Sequence, residues 1–181
     1  MAKYRLGFAV AAVLFVADQL SKWFVLGPLR LREVGQVVLL PIFSLTYTEN
    51  NGISLGLFTA LGRWILVALT SVIAIAVAIW IGKERNRLDQ AALGMVLGGA
   101  LGNILDRTVN GYVTDFLDLH VTWIPKVLCL SYQNGVCRPF LVFNVSDAAI
   151  CIGVVILLLR AFLTRKDERE GERPKETIEH A

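Results

Sequence analysis

Two aspartates, Asp115 and Asp147, are the side chains of this sequence best placed to do chemistry, because each lies in a short polar motif beside an apolar stretch. An ionisable group at membrane depth is costly unless it is paired or lines a wet cavity, so it is a sign of function by default. Two carboxylates held close together share one proton. The protonated one can polarise a carbonyl group while the ionised one takes a proton from water. The pair predicts hydrolysis of the aspartic-protease kind, with no metal and no cofactor.

The composition places these acids in a membrane protein. Hydrophobic residues make up 55% of the 181 residues and charged residues 18%, and the mean hydropathy is +0.59. These values lie outside the range of soluble domains and predict an integral membrane protein. The net charge of +3 fits membrane orientation, and no aromatic-basic pattern predicts a nucleic-acid partner.

Four apolar segments, each close to the ~20 residues that cross a hydrocarbon core, must position the acids. They are predicted at about 6–26, 64–81, 90–105 and 143–163. Lys and Arg cluster before the first segment, between the second and third, and after the fourth, which predicts that both termini are cytoplasmic. The first segment could also be a cleaved signal peptide, but no small-x-small site follows it, so we expect a retained span.

We therefore expect an all-α membrane protein in which residues 1–163 form one four-helix domain and the charged segment 164–181 is a disordered cytoplasmic tail. Two outer connections, about 34–58 and 108–142, carry a small sheet and an outer loop or flap. Residues 43–48 alternate apolar and polar side chains and predict a strand, followed by a turn at 49–52 and a returning strand at 53–57. Such a platform could hold an extended peptide.

Two of the three cysteines, Cys129 and Cys137, lie in the second outer connection with a Gln-Asn-Gly turn between them. If this loop faces an oxidising compartment, a disulfide closing a hairpin is expected, and the alternative is two free thiols. Cys151 falls in the fourth span, where a packing role is expected.

Other polar motifs each allow a functional and a structural interpretation. Asp18 and Lys22 share one helix face, either beside a site or as an ion pair with Lys22 extending outward. Asn50 and Gly52 could form only a hairpin turn, or Asn50 could bind a peptide backbone.

The third span ends in a glycine-rich motif. Glycines recur every four residues at 94, 98 and 102, which lets another helix approach closely. Asn103, Asp106 and Arg107 follow as a polar cluster in which an Asp-Arg pair could brace a site.

Structural alternatives exist for the two acids as well. Asn144 and Asp147 fit a capping box at a helix start. Asp115 could be a solvated loop acid. The topology favours function, because it brings both acids to one leaflet, at the ends of spans that can be neighbours.

Five motifs in this order resemble those of the bacterial lipoprotein signal peptidases (signal peptidase II), over about residues 7–163. They are Asp-Gln-x-Ser-Lys from 18, Asn-x-Gly from 50, Gly-Gly-Ala-x-Gly-Asn-x-x-Asp-Arg from 98, Val-x-Asp-Phe from 113 and Phe-Asn-x-x-Asp from 143. The resemblance implies that Asp115 and Asp147 are the catalytic dyad. It also implies supporting roles for Asp18, Lys22, Asn50, Gly52, Asn103, Asp106, Arg107 and Asn144.

The resemblance further implies a substrate and a location. Family members cleave diacylglyceryl-modified prolipoproteins just before the lipidated cysteine, at the outer side of the bacterial inner membrane. We therefore expect prolipoproteins and membrane lipid as partners, and a monomeric enzyme.

Three features depart from the family pattern. Ser146 replaces a usual alanine and could hydrogen-bond Asp147. Leu55 replaces a common phenylalanine. An extra stretch at about 121–139 contains Cys129 and Cys137, and the family pattern gives it no role.

Two other classes of protein remain as alternatives. A proton-coupled transporter would also place acids in membrane helices, but it should show mid-span polar groups and an internal repeat, and the sequence shows neither. A metal-dependent lipid-processing enzyme could use Asp118 as a third acid beside Asp115 and Asp147.

Overall fold

The computed structural model describes residues 5–52, 59–121, 123, 125–133 and 136–171. The helices are α1 (Arg5–Leu26), the short α2 (Leu31–Val34), α3 (Thr59–Ile81), α4 (Arg87–Val109) and α5 (Val145–Gly171). The strands are β1 (Gln36–Leu40), β2 (Phe43–Asn50), β3 (Val113–Leu119), β4 (Ser131–Gln133) and β5 (Val136–Arg138). The protein is thus mostly helical, with small antiparallel sheets.

Four helices are long and apolar enough to cross a membrane, as the sequence predicts. They cover Leu6–Leu26, Gly62–Ile81, Arg87–Val109 and Val145–Leu163. The third is longer than the predicted 90–105. It begins earlier because the Asn86 side chain accepts hydrogen bonds from the first free backbone N–H groups, and because Asp89 is paired with Arg160 at 2.9 Å.

Helix α5, the fourth of the membrane-spanning helices, continues to Gly171, beyond its membrane segment. The prediction that the chain is disordered from Thr164 was therefore wrong for residues 164–171. Lys, Arg and Glu are good helix formers, so a helix that is already nucleated extends into this charged sequence. Residues 172–181 lie outside the described part of the chain.

Helix α4 lies at the centre of the bundle. Within its most apolar stretch, 61% of α4 is buried, against 22% for α1, 11% for α3 and 17% for α5. Its glycines explain this, because a Cβ atom at Gly98 would lie 3.0 Å from the Cα of Ala11 in α1, and one at Gly94 would meet the backbone of Gly7. A Cβ at Gly99 would likewise meet Ser146 in α5. The predicted packing role of the glycine repeat is confirmed.

A three-stranded antiparallel sheet of order β1-β2-β3 covers one end of the bundle. Phe116 of β3 and Leu45 of β2 belong to one apolar cluster with Val25 of α1 and Leu31 of α2. The predicted strand at 43–48 is confirmed, but it runs on to Asn50, so the turn begins later than expected. The predicted returning strand at 53–57 lies outside the described residues. Strand β3, far along the chain, is the neighbour that completes the sheet.

An outer arm follows β3. We define the arm as the described residues of 121–139, which include a short 3-10 helix (Lys126–Leu128) and the β4–β5 hairpin. The structure joins Cys129 to Cys137, with their Cα atoms 5.4 Å apart, so the expected disulfide is present. Closing a loop this short restricts the unfolded chain by about 2 to 3 kcal/mol in the chain-entropy model. That is enough to order an arm and too little to hold a four-helix core.

Gly98→Leu should destabilise the protein, because a large side chain at this position must push α1 away from α4. Overpacking a tight contact costs roughly 1 to 3 kcal/mol or more. We expect a lower melting temperature in detergent than that of the wild type. The matched control is Ala76→Leu, at an exposed position of α3, which should leave the melting temperature unchanged. Equal melting temperatures for the two variants would contradict the close approach of α1 and α4.

Candidate active site

Asp115 lies in the middle of β3, buried at the end of the helix bundle. Its Oδ1 accepts a hydrogen bond from the Asn144 side chain at 2.6 Å, and its Oδ2 accepts one from the Asn50 side chain at 3.0 Å. In the strand register, Asp115 of β3 lies opposite Thr48 of β2. A bulge in β2 next to this position shifts the register between the two strands by one residue. Bulges commonly re-aim side chains next to functional sites.

Asp147 lies in the first turn of α5 and is half-buried. Its Oδ1 accepts a hydrogen bond from the Asn103 side chain at 2.8 Å, and its Oδ2 accepts one from the backbone N–H of Asn144 at 3.3 Å. In return the Asn144 Oδ1 accepts from the backbone N–H of Asp147 at 2.9 Å. This is the capping box that the sequence allowed as a structural alternative. It holds both residues in place without using all of their polar atoms.

Asn144 links the two acids. Because its Oδ1 accepts from Asp147, its Nδ2 is left to donate, and it donates to Asp115 at 2.6 Å and to the Asn103 oxygen at 3.4 Å. Asn103 in turn uses its nitrogen on Asp147. Amide groups have one donor and one acceptor end, so this closed set fixes the orientation of both asparagines. The structure thus brings together four of the predicted site residues.

The pKa of Asp115 is raised from its ordinary value to about 7. Burial is the main cause, because it disfavours the charged form, and the negative charge of Asp147 acts in the same direction. The hydrogen bonds from Asn50 and Asn144 and the charge of Lys22 oppose the rise. A substantial fraction of the Asp115 carboxyl therefore carries a proton at neutral pH.

The Lys22 side chain is buried. The sequence also allowed an ion pair in which Lys22 extends outward, and the structure does not have that arrangement. The Lys22 ammonium group is 2.7 Å from Asp18 and 2.9 Å from Asp106. The side chain of Gln19 also donates to Asp18 at 3.0 Å. Gln19 is not among the site residues predicted from the sequence, although an amide directly after Asp18 was the available signal.

The expected pair of Asp106 with Arg107 is corrected by the structure, which pairs Asp106 with Lys22 instead. Neighbouring residues on a helix point in different directions, so Asp106 faces α1 while Arg107 lies against Gly52. Gly52 has a φ of 73° and its backbone N–H donates to the Asn50 side chain at 2.9 Å. That bond uses the Asn50 oxygen and leaves the Asn50 nitrogen for Asp115.

The hydrogen bond that Ser146 could have made to Asp147 is not present among the described residues. The Ser146 hydroxyl is buried without a partner there, because the side chain points at Gly102 of α4 instead. The backbone N–H of Ser146 donates to Asp18 at 3.0 Å.

Asp118 does not face the dyad. Arg138 of the arm binds both of its oxygens, at 2.9 and 3.1 Å, and the Thr46 hydroxyl donates to it at 2.8 Å. Asp118 is three residues from Asp115 along a strand, an odd spacing that turns it to the other face. Sequence reasoning missed Arg138 because nothing local pairs it with Asp118.

Two cavities flank the acids. A cavity of about 700 Å³ lies beside Asp115, and most of its lining side chains are polar, among them Thr46, Thr48, Asn50, Ser131 and Arg138. A cavity of about 260 Å³ with almost wholly apolar walls lies beside Asp147 and is lined by Leu119, Phe140, Phe143, Ala148 and Cys151. Leu141 lines both. The acids therefore stand between a polar space and an apolar one.

The fold is that of a known class of bacterial membrane enzyme. A bacterial membrane enzyme solved at 2.3 Å resolution superposes with a TM-score of 0.69, covering 94% of this chain and 93% of that one, at 23% identity. At that identity the likeness establishes the fold alone.

The sequence defines the family. A family model for signal peptidase (SPase) II matches residues 10–163. The lipoprotein signal peptidase of Rhizorhabdus wittichii is 48% identical over 170 residues, covering 92% of this chain and 91% of the relative. That of Sphingopyxis alaskensis is also 48% identical, over 162 residues covering 88% and 86%. The chain belongs to the signal peptidase II family, whose members are proteases that remove signal peptides from prolipoproteins.

Two substitutions should move the pKa of Asp115 in opposite directions. Asp147→Asn removes a negative charge and should lower it, whereas Asn50→Leu removes a hydrogen bond to the ionised form and should raise it. The carboxylic acid C=O band, followed by infrared spectroscopy across a pH titration, reports the protonated fraction. Asp89→Asn, in the first turn of α4, is the control and should not move it. Shifts in the same direction would contradict the stated causes.

Proposed function

We propose that this protein is an aspartic endopeptidase that removes the signal peptide from diacylglyceryl-modified prolipoproteins, cleaving just before the lipidated cysteine. The observation that carries the proposal is the bridge formed by Asn144. Its side chain donates to Asp115 at 2.6 Å while its backbone N–H donates to Asp147. One residue thereby fixes the relative position of two carboxyl groups, as shared-proton chemistry requires.

Asp115 holds the shared proton, because it is the more deeply buried acid and its pKa is raised to about 7. Asp147 is the base. In the first step Asp147 takes a proton from water, the water oxygen attacks the scissile carbonyl carbon, and Asp115 protonates the carbonyl oxygen. As the C–N bond breaks, Asp147 passes its proton to the leaving nitrogen and Asp115 recovers its own from the hydroxyl. The dyad ends as it began, and no covalent intermediate forms.

The two cavities support a lipidated peptide substrate. The polar cavity beside Asp115 offers Thr46, Thr48 and Asn50 to an extended backbone. The apolar cavity beside Asp147 suits an acyl chain, because its walls carry almost no polar surface. Cleavage next to a lipid-bearing cysteine would place the scissile bond between these two spaces.

The eight supporting residues divide into two groups. Asn50, Gly52, Asn103, Arg107 and Asn144 act on the dyad directly or through one hydrogen bond, whereas Asp18, Lys22 and Asp106 hold the elements that carry it. Arg107 adds a positive charge that is felt by both Asp115 and Asp147. It would favour the state in which one of the two acids is ionised.

The charge pattern supports a site at the outer leaflet of the inner membrane. Lys and Arg concentrate at the ends of the spans away from the sheet, which favours a cytoplasmic location for both termini and for the segment beyond Leu163. The arm then lies on the oxidising side, in agreement with its disulfide. The intact site lies within one chain, which supports a monomer.

The metal-dependent alternative requires Asp118 as a third acid beside Asp115 and Asp147, and the contacts of Asp118 do not support that role. Both oxygens of Asp118 accept hydrogen bonds from Arg138, and Asp118 lies on the opposite face of β3 from Asp115. We therefore expect cleavage to be insensitive to chelators.

Asp115→Asn and Asp147→Asn should each abolish cleavage while leaving the protein folded and membrane-inserted. The acids act as one unit, so the loss of either should be nearly as damaging as the loss of both. Asp118→Asn, three residues along the same strand, is the matched control and should keep its turnover number. Substantial turnover by either dyad variant would remove that residue from the mechanism, and a folded but inactive Asp118→Asn would revive the metal alternative.

Substrate choice is tested with purified protein and two forms of one prolipoprotein, with and without the diacylglyceryl group. We expect cleavage of the lipidated form alone, because only that form can fill the apolar cavity. The mass of the released peptide should place the cut immediately before the modified cysteine. Equal cleavage of both forms would contradict the proposed specificity.

A further inference from the structure

The arm carries apolar side chains that the rest of the described protein leaves uncovered. Trp123 is 70% exposed, Val127 87%, Leu128 66% and Leu130 70%. Large apolar residues clustered on one short segment are unfavourable in water and mark a surface that is covered by something else. We propose that the tip of the arm, by which we mean Trp123 and the residues from Pro125 to Leu130, inserts into the outer leaflet of the lipid bilayer.

The arm is fixed to the sheet, so its tip has a defined direction. Within the arm, Val121 and Cys137 exchange two backbone hydrogen bonds of 2.8 Å each, and Leu130 donates a backbone hydrogen bond to Arg138 at 3.0 Å. Arg138 links the arm to the sheet, because its guanidinium group binds the buried carboxylate of Asp118 in β3. The disulfide to Cys129 closes the segment on itself. A segment anchored in this way presents its apolar side chains instead of folding them away.

Lipid is the occupant because the exposed apolar surface continues into a membrane span. Phe140 and Leu141, which follow the arm, are exposed, and they line the apolar cavity together with Ala148 and Cys151 of α5. These last two residues lie within the span Val145–Leu163. The exposed apolar residues that follow the arm thus adjoin a helix that is long and apolar enough to cross a membrane.

A second apolar edge lies next to the start of the arm. The backbone N–H of His120 donates to the carbonyl of Ile42 in the β1–β2 turn at 3.1 Å, and Ile42 is exposed, as are Leu39 and Leu40 at the end of β1. Two separate chain segments therefore present apolar side chains on this side of the sheet.

The one charged group at the tip also fits a membrane surface. The Lys126 ammonium group lies 5.8 Å from the centre of the Tyr132 ring. A long cationic side chain beside an aromatic ring is typical of the headgroup region, where the stem stays in apolar surroundings and the charge reaches water. An insertion of this kind would hold the dyad at a constant depth relative to lipid-anchored substrates, a consequence that rests on the proposed function.

The insertion itself is tested without any activity measurement. Trp23, Trp64 and Trp80 are replaced by Phe, which leaves Trp123 as the only tryptophan, and the protein is reconstituted in phosphatidylcholine vesicles whose acyl chains carry bromine. We expect the brominated lipid to quench Trp123 as strongly as it quenches Trp23 in a Trp23-only protein, because Trp23 is exposed on the span α1. Aqueous iodide should quench Trp123 weakly.

Two results would overturn the proposal. Strong quenching by iodide with none by brominated lipid would place the tip in water. Protection from both quenchers would mean that protein covers the tip, either this chain or a second copy.

Variants then connect the tip to its anchors and to the reaction. Replacing Val127 and Leu128 together by Asn should abolish lipid quenching of Trp123, whereas replacing both by Ile should not. Cys129→Ser with Cys137→Ser should weaken lipid quenching while circular dichroism stays unchanged. If lipid anchoring positions the enzyme, the Asn double variant should raise KM for the lipidated prolipoprotein severalfold with kcat kept. Lipid quenching in a protein that cleaves nothing would leave the insertion standing and refute the proposed function alone.

Discussion

The structure depends on one buried cation, Lys22, held between Asp18 and Asp106. Each acid also binds the backbone of an element that carries the dyad. Asp106 accepts from the N–H of Thr114, the residue before Asp115, at 3.1 Å, and Asp18 accepts from the N–H of Ser146, the residue before Asp147, at 3.0 Å.

A single ion triad thus sets β3 and α5 relative to α1 and α4. Breaking a buried ion pair by removing one partner costs roughly 3 to 5 kcal/mol, because the remaining charge is left buried and unpaired. The geometry that we propose for catalysis and the stability of the bundle therefore rest on the same contacts. This also explains why polar residues persist in helices that are otherwise apolar.

The small residues of α4 make the triad possible. A Cβ atom at Gly102 would meet both Asp18 and Ser146, so only glycine lets α1, α4 and α5 meet at this level. Packing in lipid rests on such close approach, since the hydrophobic effect gives little force between helices there. The glycine motif and the acidic motifs are thus parts of one arrangement.

The sequence predicted local features well and distant pairings poorly. The spans followed from hydropathy, the strand from the alternation at 43–48, and the capping box from the spacing of Asn144 and Asp147, because each signal lies within a few neighbouring residues. The partner of Asp106 could not be predicted, since an adjacent arginine competed with a lysine on another helix. The pairing of Asp118 with Arg138 and the position of β3 in the sheet were also not predictable, because the partners lie far apart along the chain. Helix α5 extends to Gly171, beyond the predicted end at 163, because the helix propensity of its charged residues outweighed a composition typical of disorder.

The central claim is that Asp115 and Asp147 work as a pair that holds one proton. The most direct test is the pH dependence of kcat/KM for a diacylglyceryl-modified prolipoprotein. The pair predicts a bell-shaped profile, falling in acid as the second carboxyl is protonated and falling in alkali as Asp115 loses its proton near its pKa of about 7. A rate that stays level or keeps rising well above pH 7 would show that the reaction does not need a protonated Asp115, and would contradict the account.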